Sequence, residues 1–223
     1  MKKDYEQYCP MALGLERIGE RWTLLIVRDL MFGPMRYSDL KTGIPGIATN
    51  MLANRLTEMQ EAGIVAKREL PPPAASTVYE LTDAGRDLAP VLVELGKWGM
   101  RFLPEHNEAG FMREGFKMRA PFAAEHAASS PEACTLVVDG EVIGFDVRPG
   151  KIEVTEEPAR GSAVTLSLSS STLMELMLLG KSVVEAEAEG KAEVQGDAAA
   201  IERLLDLYRL PGTEPAVALA ATS

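Results

Sequence analysis

Along residues 17–30 apolar side chains recur at helical spacing, at Ile18, Trp22, Leu25, Ile26 and Leu30, until Gly33-Pro34 closes the run. One helix is expected there. A short helix follows in "RYSDLKTG", with Tyr37 and Leu40 facing inward. "IPG" then reads as a turn, because Pro45 disfavours helix at Ile44 and Gly46 permits an unusual backbone. From about Ala48 to Ala62 the spacing predicts a third helix. Its Leu52, Leu56 and Met59 share one side, and Asn50, Asn54, Thr57 and Glu61 share the other. Gly63 supplies a left-handed stop, "AGIVAKREL" and "VYEL" read as two strands, and "PPPAAST" is a stiff tip between them. "TDAGRDLAPVLVELGKWGMRFL" is then expected as one long helix capped by Thr82. Leu88, Val91, Leu92, Leu95, Trp98 and Phe102 form its wide apolar stripe.

The second half has another rhythm. Residues 105–132 read as a connector with helical parts, carrying Phe111, Met112, Phe116, Met118 and Phe122. After it, "CTLVV", "EVIGFDV" and "KIEVT" are three strands joined by Asp139-Gly140 and Pro149-Gly150 turns, and "AVTLSLS" is a fourth. "SSTLMELMLLG" is a helix capped by Ser171 or Thr172 and ended by Gly180. "GKAEVQGD" is a last strand and "AAAIERLLDLYRL" a final helix capped by Asp197. The alternating acidic run "VVEAEAEGKAE" reads as solvated.

Charge divides the chain in the same place as rhythm. Residues 1–104 hold 13 basic and 13 acidic side chains, and residues 105–223 hold 10 and 20. An acidic half is repelled by phosphates, so any contact with nucleic acid belongs to the first half. No apolar run reaches the roughly 18–20 residues of a membrane span. "MKKDYEQYCP" has no apolar stretch behind its basic residues, so a cytoplasmic location is expected without a membrane partner. Two cysteines are too few for a disulfide framework, and the two histidines, His106 and His126, lack ligand-like neighbours, so no metal or cofactor is expected. Neither a phosphate loop nor a nucleophile elbow occurs, which argues against an enzyme.

The helix at 48–62 has the layout that groove reading requires: an apolar back, with amide and hydroxyl groups near its N-terminus. A solvated helix face has the same layout. The flanking strands decide between them, because they form a β-ribbon wing with Lys67 and Arg68 at its base, within reach of a phosphate or the minor groove. The stripe from Leu88 to Phe102 exceeds what one small domain buries. It suits packing against a second copy, or against the second domain.

These segments, "CPMALGLERIGERWTLLIVRDLMFGPMRYSDLKTGIPGIATNMLANRLTEMQEAGIV" with "VYELTDAGRDLAPVLVELGKWG", resemble the HxlR-type winged-helix regulators, relatives of the MarR group, over residues 8–103. The resemblance implies a homodimeric transcriptional regulator, a repressor by type, that binds double-stranded DNA through the helix at 48–62 and the wing at 68–78. By position it assigns Thr49, Asn50, Asn54 and Arg55 to DNA and Arg36 to a phosphate. Ala48 departs from the serine such helices often begin with, at a cost of about 1 kcal/mol in local stability. Cys9, followed by proline, matches a position that senses oxidants in some members. A small buried hydrophobe is the alternative there.

The order from "CTLVV" onward, with "LMELMLLGK" and "GKAEVQGD", resembles the sterol carrier protein type 2 fold over about residues 110–212. That implies a tunnel for lipid-like ligands, with Met174, Met177 and Leu178 along it. Filling an ordinary core is the other use of such residues. The expected fold is therefore α+β. An N-terminal winged helix-turn-helix domain occupies residues 1–106, and a C-terminal α/β sterol-carrier-like domain, binding an apolar small-molecule effector, occupies 107–223. Two rival readings stay open: a lipid-carrier module whose winged helix does not bind DNA, and a redox-sensing regulator acting through Cys9.

Overall fold

The computed structural model describes residues 4–71, 76–104, 109–127 and 132–215. It divides into two compact units, one ending at Leu92 and the other beginning at Val93.

In the first unit Cys9 is extended and Pro10 opens helix α1 (Pro10–Ile18), at a position where its missing N–H costs nothing. Helix α2 covers Thr23–Leu30. The single helix expected over 17–30 is therefore two. The chain breaks at Trp22, whose φ of 81° is left-handed and uncommon for so bulky a residue. Arg21 lays its guanidinium over the Trp22 ring, 4.4 Å from the centroid. Ile26 and Leu30 are buried as expected, whereas Leu25 is exposed.

Strand β1 (Met35–Arg36), helix α3 (Tyr37–Gly43), helix α4 (Thr49–Glu61) and strands β2 (Val65–Glu69) and β3 (Thr77–Leu81) follow. The sheet order is β1-β3-β2, antiparallel throughout, with Arg36 and Arg68 flanking Val78 from either side. Two-residue β1 is too short to leave a periodic signal. The Leu70 N–H donates to Ser76 O at 2.9 Å across the mouth of the wing. Most of the Pro-rich tip, residues 72–75, lies outside the described residues. Ile26, Leu40, Ile44, Ile47, Leu52, Leu56 and Met59 form the buried centre.

Thr82 caps helix α5 (Asp83–Arg86), accepting from the Gly85 N–H at 3.1 Å, and its hydroxyl reaches Gly63 O at 2.7 Å. The long helix expected from Thr82 stops there. Pro90 has no N–H for the Arg86 carbonyl and its ring crowds that oxygen, so the chain turns at Asp87-Leu88 and restarts as helix α6 (Ala89–Gly99). One 3₁₀ turn, Met100–Phe102, ends the segment.

In the second unit the expected connector contains a 17-residue helix, α7 (Ala109–Glu125). It buries Phe116, Ala120, Ala123 and Ala124; His106 and the side chains of Phe111 and Phe122 lie outside the described residues. Strands β4 (Glu132–Val138), β5 (Glu141–Arg148), β6 (Lys151–Thr155) and β7 (Val164–Leu168) follow. Asp139 and Gly140 both have positive φ, 50° and 86°, the two-residue hairpin turn predicted for that pair. Helix α8 (Ser170–Leu178) is capped by Ser169, not by Ser171 or Thr172; Ser169 Oγ accepts from the Thr172 N–H at 3.1 Å. The acidic run is only half solvated, because helix α9 (Val183–Ala188) buries Val183 and Ala186. Strand β8 (Ala192–Gly196) and helix α10 (Ala198–Asp206), capped by Asp197, complete the unit.

The five strands lie in the order β6-β5-β4-β7-β8, all antiparallel except β4 with β7. Alternate residues of the inner strands are buried: Cys134, Leu136 and Val138; Ile143, Phe145 and Val147; Val164, Leu166 and Leu168. Against them pack Leu173 and Leu176 of α8 and Ile201 and Leu205 of α10. Phe116, Phe145 and Tyr208 meet edge to face at 4.9–6.0 Å in the middle.

Candidate nucleic-acid interface

Helix α4 owes its placement to its neighbours on both sides. Leu52, Leu56 and Met59 are all but inaccessible to solvent, and fix the back of the helix in the core. At its start the Tyr37 hydroxyl donates to Thr49 O at 2.5 Å, tying α3 to the first residue of α4. Gly46 takes φ 83°, and the Trp22 ring lies beside it. Ala48 offers no side-chain cap.

The face opposite the core is exposed at Thr49, Asn50, Asn54, Thr57 and Glu61. Their polar groups differ in availability. Thr57 Oγ1 donates back to Ala53 O at 3.1 Å, and Asn50 Oδ1 accepts from the Met51 N–H at 2.9 Å. The Asn54 amide enters no hydrogen bond among the described residues.

Arg55 does not share that face. Its side chain is only 10 % exposed and is held by Glu58, one turn on, and by Glu20, 3.5 Å away in the link between α1 and α2. Its charge is matched inside the unit. Helical spacing put Arg55 next to Asn54 but carried no trace of Glu20, which is 35 positions away in the chain.

The remaining basic residues surround α4. Arg36 precedes α3, exposed, with Nε donating to Ser76 Oγ at 3.2 Å beside the wing. Lys67 is exposed on β2 and has no ion-pair partner among the described residues. Arg68 is paired diagonally across the ribbon with Glu80 at 2.9 Å. At the other end of α4, Arg17 Nη1 donates to Ala62 O at 3.4 Å.

Cys9 is half-buried beside the start of α1. Cys134 is fully buried on β4, and removal from water pushes its thiol up to about 11. Met174, Met177 and Leu178 are half-buried on α8, the two methionines packed against the second unit's core. Among the described residues no group of three or more His, Cys, Asp or Glu side chains is placed to hold a metal ion, and no helix is long and apolar enough to cross a membrane.

This helix-turn-helix and its wing coincide with a match to the HxlR-like helix-turn-helix family model over residues 17–107. A Bacillus subtilis (strain 168) protein named HTH-type transcriptional regulator YvaP is 32 % identical over 98 residues, which cover 44 % of this chain and 91 % of that one. The chain belongs to the HxlR-like helix-turn-helix family. HTH-type transcriptional regulator YodB of the same organism is 37 % identical over 95 residues, covering 42 % of this chain and 85 % of the relative. The solved structure of reduced YodB shares 33 % identity and covers 45 % of this chain and all of the other, with a TM-score of 0.39. The protein is thus an HxlR-family transcriptional regulator, which is not an enzyme family. The match ends at residue 107, and most of the second unit lies beyond it.

Proposed function

We propose that this HxlR-family regulator acts as a homodimer that reads a specific site in double-stranded DNA with the exposed face of α4. The observation that carries the reading is the contrast along that helix: a back sealed in the core and an N-terminal half exposing Thr49, Asn50 and the unengaged amide of Asn54. An Asn side chain pairs with the edge of an adenine in the major groove. Arg36 and Lys67 flank the helix as phosphate contacts, with Arg68 a weaker one because Glu80 shares its charge. Titration of labelled promoter DNA at two salt concentrations tests this. A preferred site is expected, with affinity falling steeply as salt rises, and indifference to sequence rejects the reading. Asn54→Ala should lose about 1–3 kcal/mol at one base position. Arg36→Ala should weaken every sequence alike and lower the salt slope by about 0.9.

The dimer contact is assigned to α6 and the turn after it. Val91, Leu95, Trp98 and Phe102 recur at spacings of four, three and four, and are 45, 43, 56 and 66 % exposed. That is the seam a helix presents to a second helix.

The second unit is assigned the effector. The reading rests on the resemblance of its sequence to the sterol carrier type 2 fold, and Met174, Met177 and Leu178 are half-buried flexible positions on α8 of this mixed five-stranded unit. A ligand there changes DNA affinity only by preferring one dimer geometry. Mass spectrometry of the purified protein should find a co-purified apolar compound that is lost with Met177→Glu. A thiol reading rests on Cys9 alone. Native protein should expose a single thiol to Ellman's reagent and both after denaturation, because Cys134 is sealed. An oxidant response that survives Cys9→Ser rules that reading out.

A further inference from the structure

The link between α1 and α2 carries a basic side chain to which the reading of α4 gives no task. Arg21 is exposed, lies 4.4 Å over the Trp22 ring and has no carboxylate within ion-pair distance among the described residues. The carboxylate of its neighbour Glu20 meets Arg55, 3.5 Å away. The ring beneath the guanidinium is held in an unusual way. Trp22 has φ 81°, a left-handed conformation that is unfavourable for a bulky residue and persists where its surroundings require it. Its ring lies beside the turn that leads into α4, since a Cβ added to Gly46 meets the ring at 3.8 Å. Two contacts therefore pin the link along the N-terminal part of α4: Trp22 on the turn before the helix, and Glu20 on Arg55. Arg55 and Met51 are one helical turn apart, on the flank that borders Asn50 and Asn54, and Met51 is exposed.

We propose that Arg21 is a DNA-backbone contact: resting on Trp22, its guanidinium receives a phosphate at the edge of the groove that α4 enters. The proposal rests on the reading of α4 as the helix that faces DNA. A guanidinium is a planar fork of donors that suits a phosphate, and no carboxylate of the described residues competes for it here. Its place on the ring restricts the side chain beforehand, so less freedom is lost when DNA arrives. Helix α2 begins two residues further on without a side-chain cap, which sets the partial positive charge of its N-terminus beside the guanidinium. Arg21 stands on the link and outside the reading face, so its contact positions the protein and carries no base preference. The strained Trp22 is then the positioning residue of this contact, holding the cation beside the first turn of α4.

The full-length protein is titrated, over a range of salt concentrations, with a duplex selected from a random pool and with a random duplex of equal length. Arg21→Gln should lower the salt slope by about 0.9 for each protomer bound, on both duplexes alike, with the melting temperature unchanged. Arg21→Lys should restore the slope, because it restores the charge. Trp22→Asn, which tolerates a left-handed backbone, should weaken both duplexes. Combined with Arg21→Gln it should cost less than the sum of the two, because the ring acts through the cation. If Trp22→Asn fails to fold, the two variants of exposed Arg21 carry the test alone. An unchanged slope in Arg21→Gln overturns the proposal. So does a loss confined to the selected duplex, which would make Arg21 a base reader, and fully additive losses would remove Trp22 from the contact. Failure of the unaltered protein to bind either duplex overturns the proposal together with the reading of α4. Binding without sequence preference rejects base reading by α4 alone, and the slope on the random duplex then decides for or against Arg21.

Discussion

Trp98→Glu is expected to dissociate the proposed homodimer into monomers and to remove high-affinity binding to the proposed DNA site. Trp98 and Phe102 stack edge to face at 4.9 Å on an exposed stripe, and burying one large apolar side chain is worth about 1.5–3 kcal/mol. A two-fold interface counts each substitution twice, so the dimer loses about 3–6 kcal/mol, or two to four orders of magnitude in its dissociation constant. The two carboxylates brought near the seam add to that loss. A monomer keeps one α4 and therefore one half-site. Sedimentation analysis alongside operator titration checks both effects. A Trp98→Glu variant that stays dimeric removes α6 from the interface.

Arg55→Ala should destabilise the first unit while leaving the salt dependence of DNA binding unchanged. The buried guanidinium bridges Glu58 on α4 and Glu20 on the link between α1 and α2. Breaking a fully buried pair costs about 3–5 kcal/mol, but both glutamates are partly exposed and stay hydrated, so about 1–3 kcal/mol is expected here. In a unit of this size that lowers the melting temperature by several degrees. Arg55→Lys should recover only part of the loss, because an ammonium cannot fork to two carboxylates. A residue on a phosphate behaves otherwise, lowering the salt slope by about 0.9 when removed. A slope reduced in Arg55→Ala would return Arg55 to the DNA-contact set.

What could be read from the chain was local. Leu52, Leu56 and Met59 lie on the buried side of α4 because a 13-residue helix carries its own period, and the core needed only to be on that side. Asp139-Gly140 became the expected hairpin turn because few residues tolerate positive φ at two successive positions. Thr82 and Asp197 cap helices as expected, since a cap is a contact over two or three residues. The errors have another origin. The apolar spacing continues unbroken through Trp22, so nothing local reveals that the backbone reverses its φ there. Residues 183–188 alternate like a solvated strand, yet Val183 and Ala186 are three apart and share the buried side of a helix. Pro90 was visible, and its conflict with the Arg86 carbonyl was the signal that the long helix had to break.

The amino-acid sequence by itself determined most of the helical segments, the ribbon and the charge division between the halves, because those depend on period, turn chemistry and composition, and its motifs carried the resemblance to the HxlR-type regulators. Three-dimensional contact alone decided which polar side chains are available. Asn54 and Arg55 are neighbours on one helix, and tertiary packing, with Glu20 brought alongside, separates an open amide from a buried cation. Only the packed structure set β4 parallel to β7, since a strand's pattern reads the same in either direction.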